Sequence, residues 1–153
     1  MEINELQGLL LKVMPQWNYR ISRPFKQLFE DNVTPPMFFC MEILRRRGSQ
    51  SMSSLGRWSR MPKQQMTKLV NKLIACDYVR RTNHPEDRRV VLVELSEKGL
   101  AYTQEFEQKE NDYYRNLLLS MDEQDREDFG QALETIKRVL EKLPCDCKEK
   151  EAE

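Results

Sequence analysis

The sequence predicts a mainly α-helical chain with one two-stranded β hairpin, and three observations carry that reading. Apolar residues recur at three- and four-residue steps along most of the chain, the period of a helix face. Two neighbouring β-rich runs, parted by turn formers, occur only once. Five Gly and seven Pro in 153 residues argue against a turn-rich β sandwich or a low-complexity repeat. The length fits one domain, or one domain with an attached oligomerisation element. Apolar residues are 39% and charged residues 33%. That balance suits helices with much exposed surface, or a core completed by a partner.

Ile3, Leu6, Leu10, Val13, Trp17 and Ile21 form the first helical stripe. Pro15 and Pro24 interrupt it, so a kink or a break is expected. Thr34-Pro35 reads as an N-cap followed by proline in the first turn. The second helix runs through Phe38, Phe39, Met41, Ile43 and Leu44, and Gly48 is its expected stop. Ser51 opens a short third helix with Leu55 and Trp58. Pro62 begins a fourth, whose buried stripe is Met66, Leu69, Val70 and Leu73.

The opposite face of that fourth helix carries Gln64, Lys68 and Asn71, flanked by Thr67 and Gln65. It holds amides, a hydroxyl and ammonium groups, and no acid. Tyr78 to Thr82 and Arg89 to Leu95 are the two β-rich runs, joined through Asn83-His-Pro-Glu-Asp87. Ser96 caps a long helix containing Phe106, Tyr113, Leu117 and Leu118. Asp122 starts the last helix, in which Phe129, Leu133, Ile136, Leu140 and Leu143 follow a 4-3-4-3 spacing. Such a seam on a charged helix needs a partner surface. Pro144 ends it, and 144–153 reads as a polar tail.

Charge is segregated. From Arg45 to Arg89 there are twelve basic residues against Asp77, Glu86 and Asp87, a segment charge of +9 in a chain of net charge zero. A basic middle between acidic flanks is the footprint of one module that meets a polyanion. The order helix, short helix, helix, hairpin is that of a helix-turn-helix followed by a wing, with residues 34–96 as the lobe. A helix of this kind presents its polar face to the major groove. Gln can read adenine and Lys can reach guanine or phosphate. Arg88 and Arg89 at the hairpin tip suit a narrow, electronegative minor groove. Asp87 is expected to brace Arg89 through a salt bridge. The expected DNA contacts are therefore Lys63, Gln64, Gln65, Thr67, Lys68, Asn71, Arg88 and Arg89. The rival is a winged-helix module that binds protein or RNA.

The run Asp87-Arg-Arg-Val-Val-Leu-Val-Glu-Leu-Ser-Glu-Lys-Gly99 resembles the wing signature of the MarR family of bacterial and archaeal transcription regulators. Asp87, Arg89, Leu95 and Gly99 match it, with Ser96 standing for the family's Thr. Gln64 to Leu73 resembles the family's recognition helix, and the likeness covers about residues 3 to 143. Two positions depart. Pro62 replaces a common Ser or Thr and supplies no capping hydroxyl. Gly56 replaces the usual Ala, at a helix cost of about 1 kcal/mol.

The resemblance implies a homodimer, with 1–33 and 97–143 as interlocking dimerisation helices within a single domain of 1–153. Leu6, Leu10, Val13, Phe129, Leu133, Ile136 and Leu140 would line the interface. The recognition helices would enter successive major grooves over an inverted repeat of double-stranded DNA. The implied role is a cytoplasmic repressor released by a small ligand; activation stays open.

Family members often bind aromatic or phenolic molecules between the lobe and the dimer helices. Trp17, Phe25, Phe29, Phe38 and Phe39 are the candidates for a small aromatic effector, or they simply fill the core there. Cys145-Asp-Cys147 is a weaker candidate sensor of metal or redox state. Cys40 and Cys76 fall on helices and read as inert thiols. No secretory signal is visible and no apolar run is long enough to span a bilayer, so a reducing compartment and no membrane are expected. His84 is the only histidine, and no Gly-rich phosphate motif is present. No cofactor and no enzymatic activity are expected.

Overall fold

A computed structural model describes residues 1–143. The proposed thiol pair Cys145 and Cys147, with the rest of 144–153, lies outside the described residues. The chain falls into two compact units, Met1–Glu110 and Asn111–Glu153, the second described as far as Leu143.

In the first unit, α1 (Ile3–Trp17) contains Pro15, whose missing N–H removes one helical bond. The chain then widens into a π turn at Asn18–Ser22 and re-forms α2 (Arg23–Lys26), with Pro24 in its first turn. The expected break is therefore a π turn rather than a gap. Thr34 caps α3 (Pro35–Arg47) by backbone conformation, without a side-chain bond. Pro35 and Pro36 remove two N–H groups that would otherwise lack partners there. Gly48, at φ 75°, ends the helix.

Two residues, Gln50–Ser51, form β1, a strand the sequence reading did not include. It pairs with β3 (Val91–Leu95), which pairs in turn with β2 (Val79–Asn83), giving an antiparallel sheet of order β1-β3-β2. The expected two-stranded wing is thus a three-stranded sheet, because two residues carry no readable alternation. Ser51 also caps α4 (Met52–Ser59), accepting a bond from the Ser54 amide at 3.2 Å. A Cβ on Gly56 would meet the Met61 carbonyl at 3.2 Å. The glycine thus admits the turn into α5 (Lys63–Ala75), which offsets its helix cost.

The core lies where α3, α4 and α5 meet the sheet. Met37, Met41, Leu44, Leu55, Met66, Val70, Leu73 and Val93 are buried in it. Every position of the fourth-helix stripe read from the sequence is buried. The helix α5 ends in a Schellman turn. Tyr78 N–H donates to Leu73 and Asp77 N–H to Ile74, both at 2.9 Å. Asp77 takes the left-handed conformation, φ 61°, usually held by glycine.

Ser96 ties this turn to α6 (Glu97–Leu119). Its hydroxyl accepts from Gly99 N–H at 3.0 Å and donates to the Asp77 carbonyl. Ser96→Ala is expected to lower stability by about 1–2 kcal/mol, read as an earlier thermal midpoint. An unchanged midpoint would show that this cap holds nothing.

In the second unit, α7 (Glu123–Leu140) is capped by Asp122, which accepts from Asp125 N–H at 2.8 Å. Neither α1 nor α7 buries a residue. Leu10 is 51% exposed and Leu140 58%, so both apolar stripes stand open in the single chain.

Candidate nucleic-acid interface

The buried stripe of α5 fixes which side faces outward. Lys63, Gln64, Gln65, Lys68 and Asn71 are exposed on that side, and Thr67 is half-buried. The Thr67 hydroxyl donates to the Lys63 carbonyl at 2.9 Å, which directs it along the helix. The Asn71 side-chain oxygen accepts from Arg81 of β2 at 2.8 Å.

The wing tip, 84–90, is closed by backbone bonds from His84 to Val90 and from Val90 to Asp87. His84 Nδ1 accepts from Glu86 N–H at 3.1 Å, so the histidine braces the tip. Asp87 accepts from the backbone N–H of Arg89 at 3.0 Å. The expected salt bridge is replaced by an Asx turn, and among the described residues no ion pair joins the two side chains. The carboxylate shapes the turn through the Arg89 backbone rather than its side chain. Arg88 and Arg89 are exposed.

Part of the basic segment is neutralised locally. Arg45 is gripped by Glu42 at 2.8 and 3.0 Å and by Glu107 at 3.1 Å; the Glu42 bond is the largest influence raising its pKa. Arg46 bonds Glu42 at 3.2 Å, and Arg80 bonds its cross-strand neighbour Glu94 at 2.6 Å. Arg47 lies 3.5 Å above the Trp58 ring. The cations outside these pairs include Lys63, Lys68, Lys72, Arg88 and Arg89. Arg47, Arg57 and Arg81 also stay outside the carboxylate pairs, so the unpaired charge includes α5 and the wing tip while Arg45, Arg46 and Arg80 are spent, a distinction the summed charge did not reveal.

The aromatic candidates separate. Phe25, Phe29 and Phe38 pack ring to ring with Phe106, the Phe29–Phe106 and Phe38–Phe106 centroids being 4.4 and 4.3 Å apart. Phe106 was not among the candidates, although it carries the cluster. Trp17 is half-buried on α1. Phe39 is 63% exposed and opens onto a groove of about 650 Å³, lined also by Phe38, Ile43, Arg46, Trp58 and Glu110. Burial, then the charges of Glu42 and Glu107, push the Glu110 carboxyl up from its ordinary value. Cys40 is buried, and burial raises its thiol to about 12, which makes it a poor nucleophile. Cys76 is half-buried. Among the described residues no cluster of ligating side chains could hold a metal ion, and no helix is long and apolar enough to cross a membrane.

Residues 33–91 match the model of the MarR family. The HTH-type transcriptional regulator MhqR of Bacillus subtilis (strain 168) is 25% identical over 118 residues, covering 74% of this chain and 77% of that one. The crystal structure of the YusO protein from Bacillus subtilis has a TM-score of 0.73 at 19% identity, over 94% of this chain and 100% of that one. A mutant MarR from E. coli, complexed with operator DNA, gives 0.64 at 18% identity, over 89% and 99%. The solved structures establish the same winged-helix fold.

Proposed function

We propose that the chain is a winged-helix transcriptional regulator of the MarR family, whose model matches residues 33–91, and that it binds double-stranded DNA sequence-specifically as a cytoplasmic homodimer. One observation carries this reading: the acid-free face of α5 and the wing tip expose cations that form no ion pair among the described residues. Gln64 and Gln65, near the start of the helix, would read base edges. Lys63, Thr67, Lys68 and Asn71 would contact bases or backbone beside them. Arg88 and Arg89 would enter the minor groove, with Asp87 shaping the tip.

A second copy would cover the open stripes of α1 and α7. Two recognition helices would then meet an inverted repeat, about 34–36 Å centre to centre. The role proposed is repression, relieved by a small aromatic ligand. The groove beside Phe39 and Trp58 supports a place for that ligand.

The test is binding of the purified protein to the DNA flanking its own gene. Gln64→Ala should relax discrimination at one base pair by about tenfold. Arg89→Ala should weaken all duplexes alike. If both variants bound as the parent does, the recognition assignment would be wrong.

A further inference from the structure

The bond between Arg81 and Asn71 reaches from the wing to the recognition helix, and it has a chemical consequence. Along β2 the pleat sends Val79, Arg81 and Asn83 to one side and Arg80 to the other. Val79 is buried, so Arg81 leaves the sheet on its packed side. Arg80, on the other side, spends its charge on Glu94 at 2.6 Å. Arg81 instead bonds a neutral amide at 2.8 Å and keeps its full charge.

A guanidinium has donors only, so the Asn71 atom facing it must be the oxygen. The two Asn71 N–H donors are then turned away from Arg81. An asparagine reads adenine by presenting oxygen and nitrogen together to one base edge. Arg81 takes one of the two lone pairs of the Asn71 oxygen and holds that oxygen toward the wing, so the N–H donors are what the amide presents away from it, on a helix end that also carries the exposed Lys68 and Lys72. No side-chain bond of this kind occupies Gln64 or Gln65 among the described residues, so both keep a donor and an acceptor.

We infer that Arg81 is a positioning residue: by holding the Asn71 oxygen toward the wing it turns the amide from an adenine reader into a contact that offers its N–H donors to a phosphate oxygen or a guanine acceptor edge. The two ends of α5 thus divide the work. The start of the helix discriminates bases, and its end, locked to the wing, fixes register. This rests on the duplex-binding reading above.

The experiment selects duplexes from a randomised library with the full chain and with Asn71→Ala, Asn71→Asp, Arg81→Ala and the double alanine variant, then titrates the selected duplex. The parent should show no adenine preference that Asn71→Ala removes. Asn71→Asp keeps an acceptor for Arg81 but has no donor, and should weaken binding about tenfold. Arg81→Ala frees the oxygen and should create an adenine preference at one position, which the double variant loses. Replacing guanine by 7-deazaguanine abolishes the Asn71 effect if the acceptor is guanine, and spares it if the acceptor is phosphate.

Unchanged base preference in Arg81→Ala would overturn the inference while leaving duplex binding intact. So would a parental adenine preference that depends on Asn71. A parent that selects no duplex would remove the proposed function itself, and this inference with it. A merely structural Arg81 would change stability without changing base preference.

Discussion

Gly99→Ala is expected to unfold the chain at a temperature about 10 °C lower, a loss of about 3 kcal/mol or more. A Cβ at this position would collide with the Tyr78 carbonyl oxygen and lie 2.9 Å from a Leu95 methyl. The Leu95 methyl ends a flexible, half-buried side chain and could give way, but the Tyr78 oxygen cannot. The Tyr78 carbonyl is backbone, and it already accepts the Ser96 N–H at 3.0 Å. The first turn of α6 would have to lift away from the end of α5. That would pull the Ser96 hydroxyl from Asp77 and disturb the wing that Ser96 helps anchor. Thermal unfolding at fixed protein concentration reads the effect directly. A melting curve matching the parent's would show that the packing of α6 on Tyr78 is not as close as described.

Leu133→Asp combined with Leu140→Asp is expected to give monomers in sedimentation and to abolish tight duplex binding together. Phe129, Leu133, Ile136 and Leu140 share one stripe of α7, yet the helix buries no residue in the single chain. The stripe on α1, with Leu6, Leu10 and Val13, is likewise open. Two carboxylates in a buried seam would be desolvated without partners, which costs far more than the lost apolar area alone. Dimers that persist would remove α7 from the interface. Dimers that vanish while duplex binding survives would remove the need for two lobes.

Much of this architecture was legible because it rests on local rules. The stripe Met66, Leu69, Val70 and Leu73 keeps helical period, so its burial could be read directly, and with it the outward side of α5. Thr34, Ser51, Pro62, Ser96 and Asp122 mark helix starts by conformation and capping chemistry that operate within a few residues. The parts that escaped depend on tertiary neighbours. The strand Gln50–Ser51 exists only because β3 offers it a ladder. Asp87 finds the Arg89 amide before its guanidinium, since the turn brings the backbone closer.

The charge sum also misled in one respect. Counting residues treated Arg45, Arg46 and Arg80 like Lys68, whereas folding pairs the three arginines with Glu42, Glu107 and Glu94. Arg81 had a readable signal, the period-two alternation from Val79, but its partner on α5 did not. Phe106 lay within a recognised helix; its contact with Phe29 and Phe38 required the fold.

The most direct measurement is the affinity of the purified protein for the duplex flanking its gene across a salt series. Phosphate contacts from two lobes release counterions, so affinity should fall about a thousandfold or more between about 50 and about 200 mM salt. Arg89→Ala should flatten that slope by roughly one contact per lobe. A slope near zero, or one that Arg89→Ala leaves untouched, would contradict a duplex held between α5 and the wing.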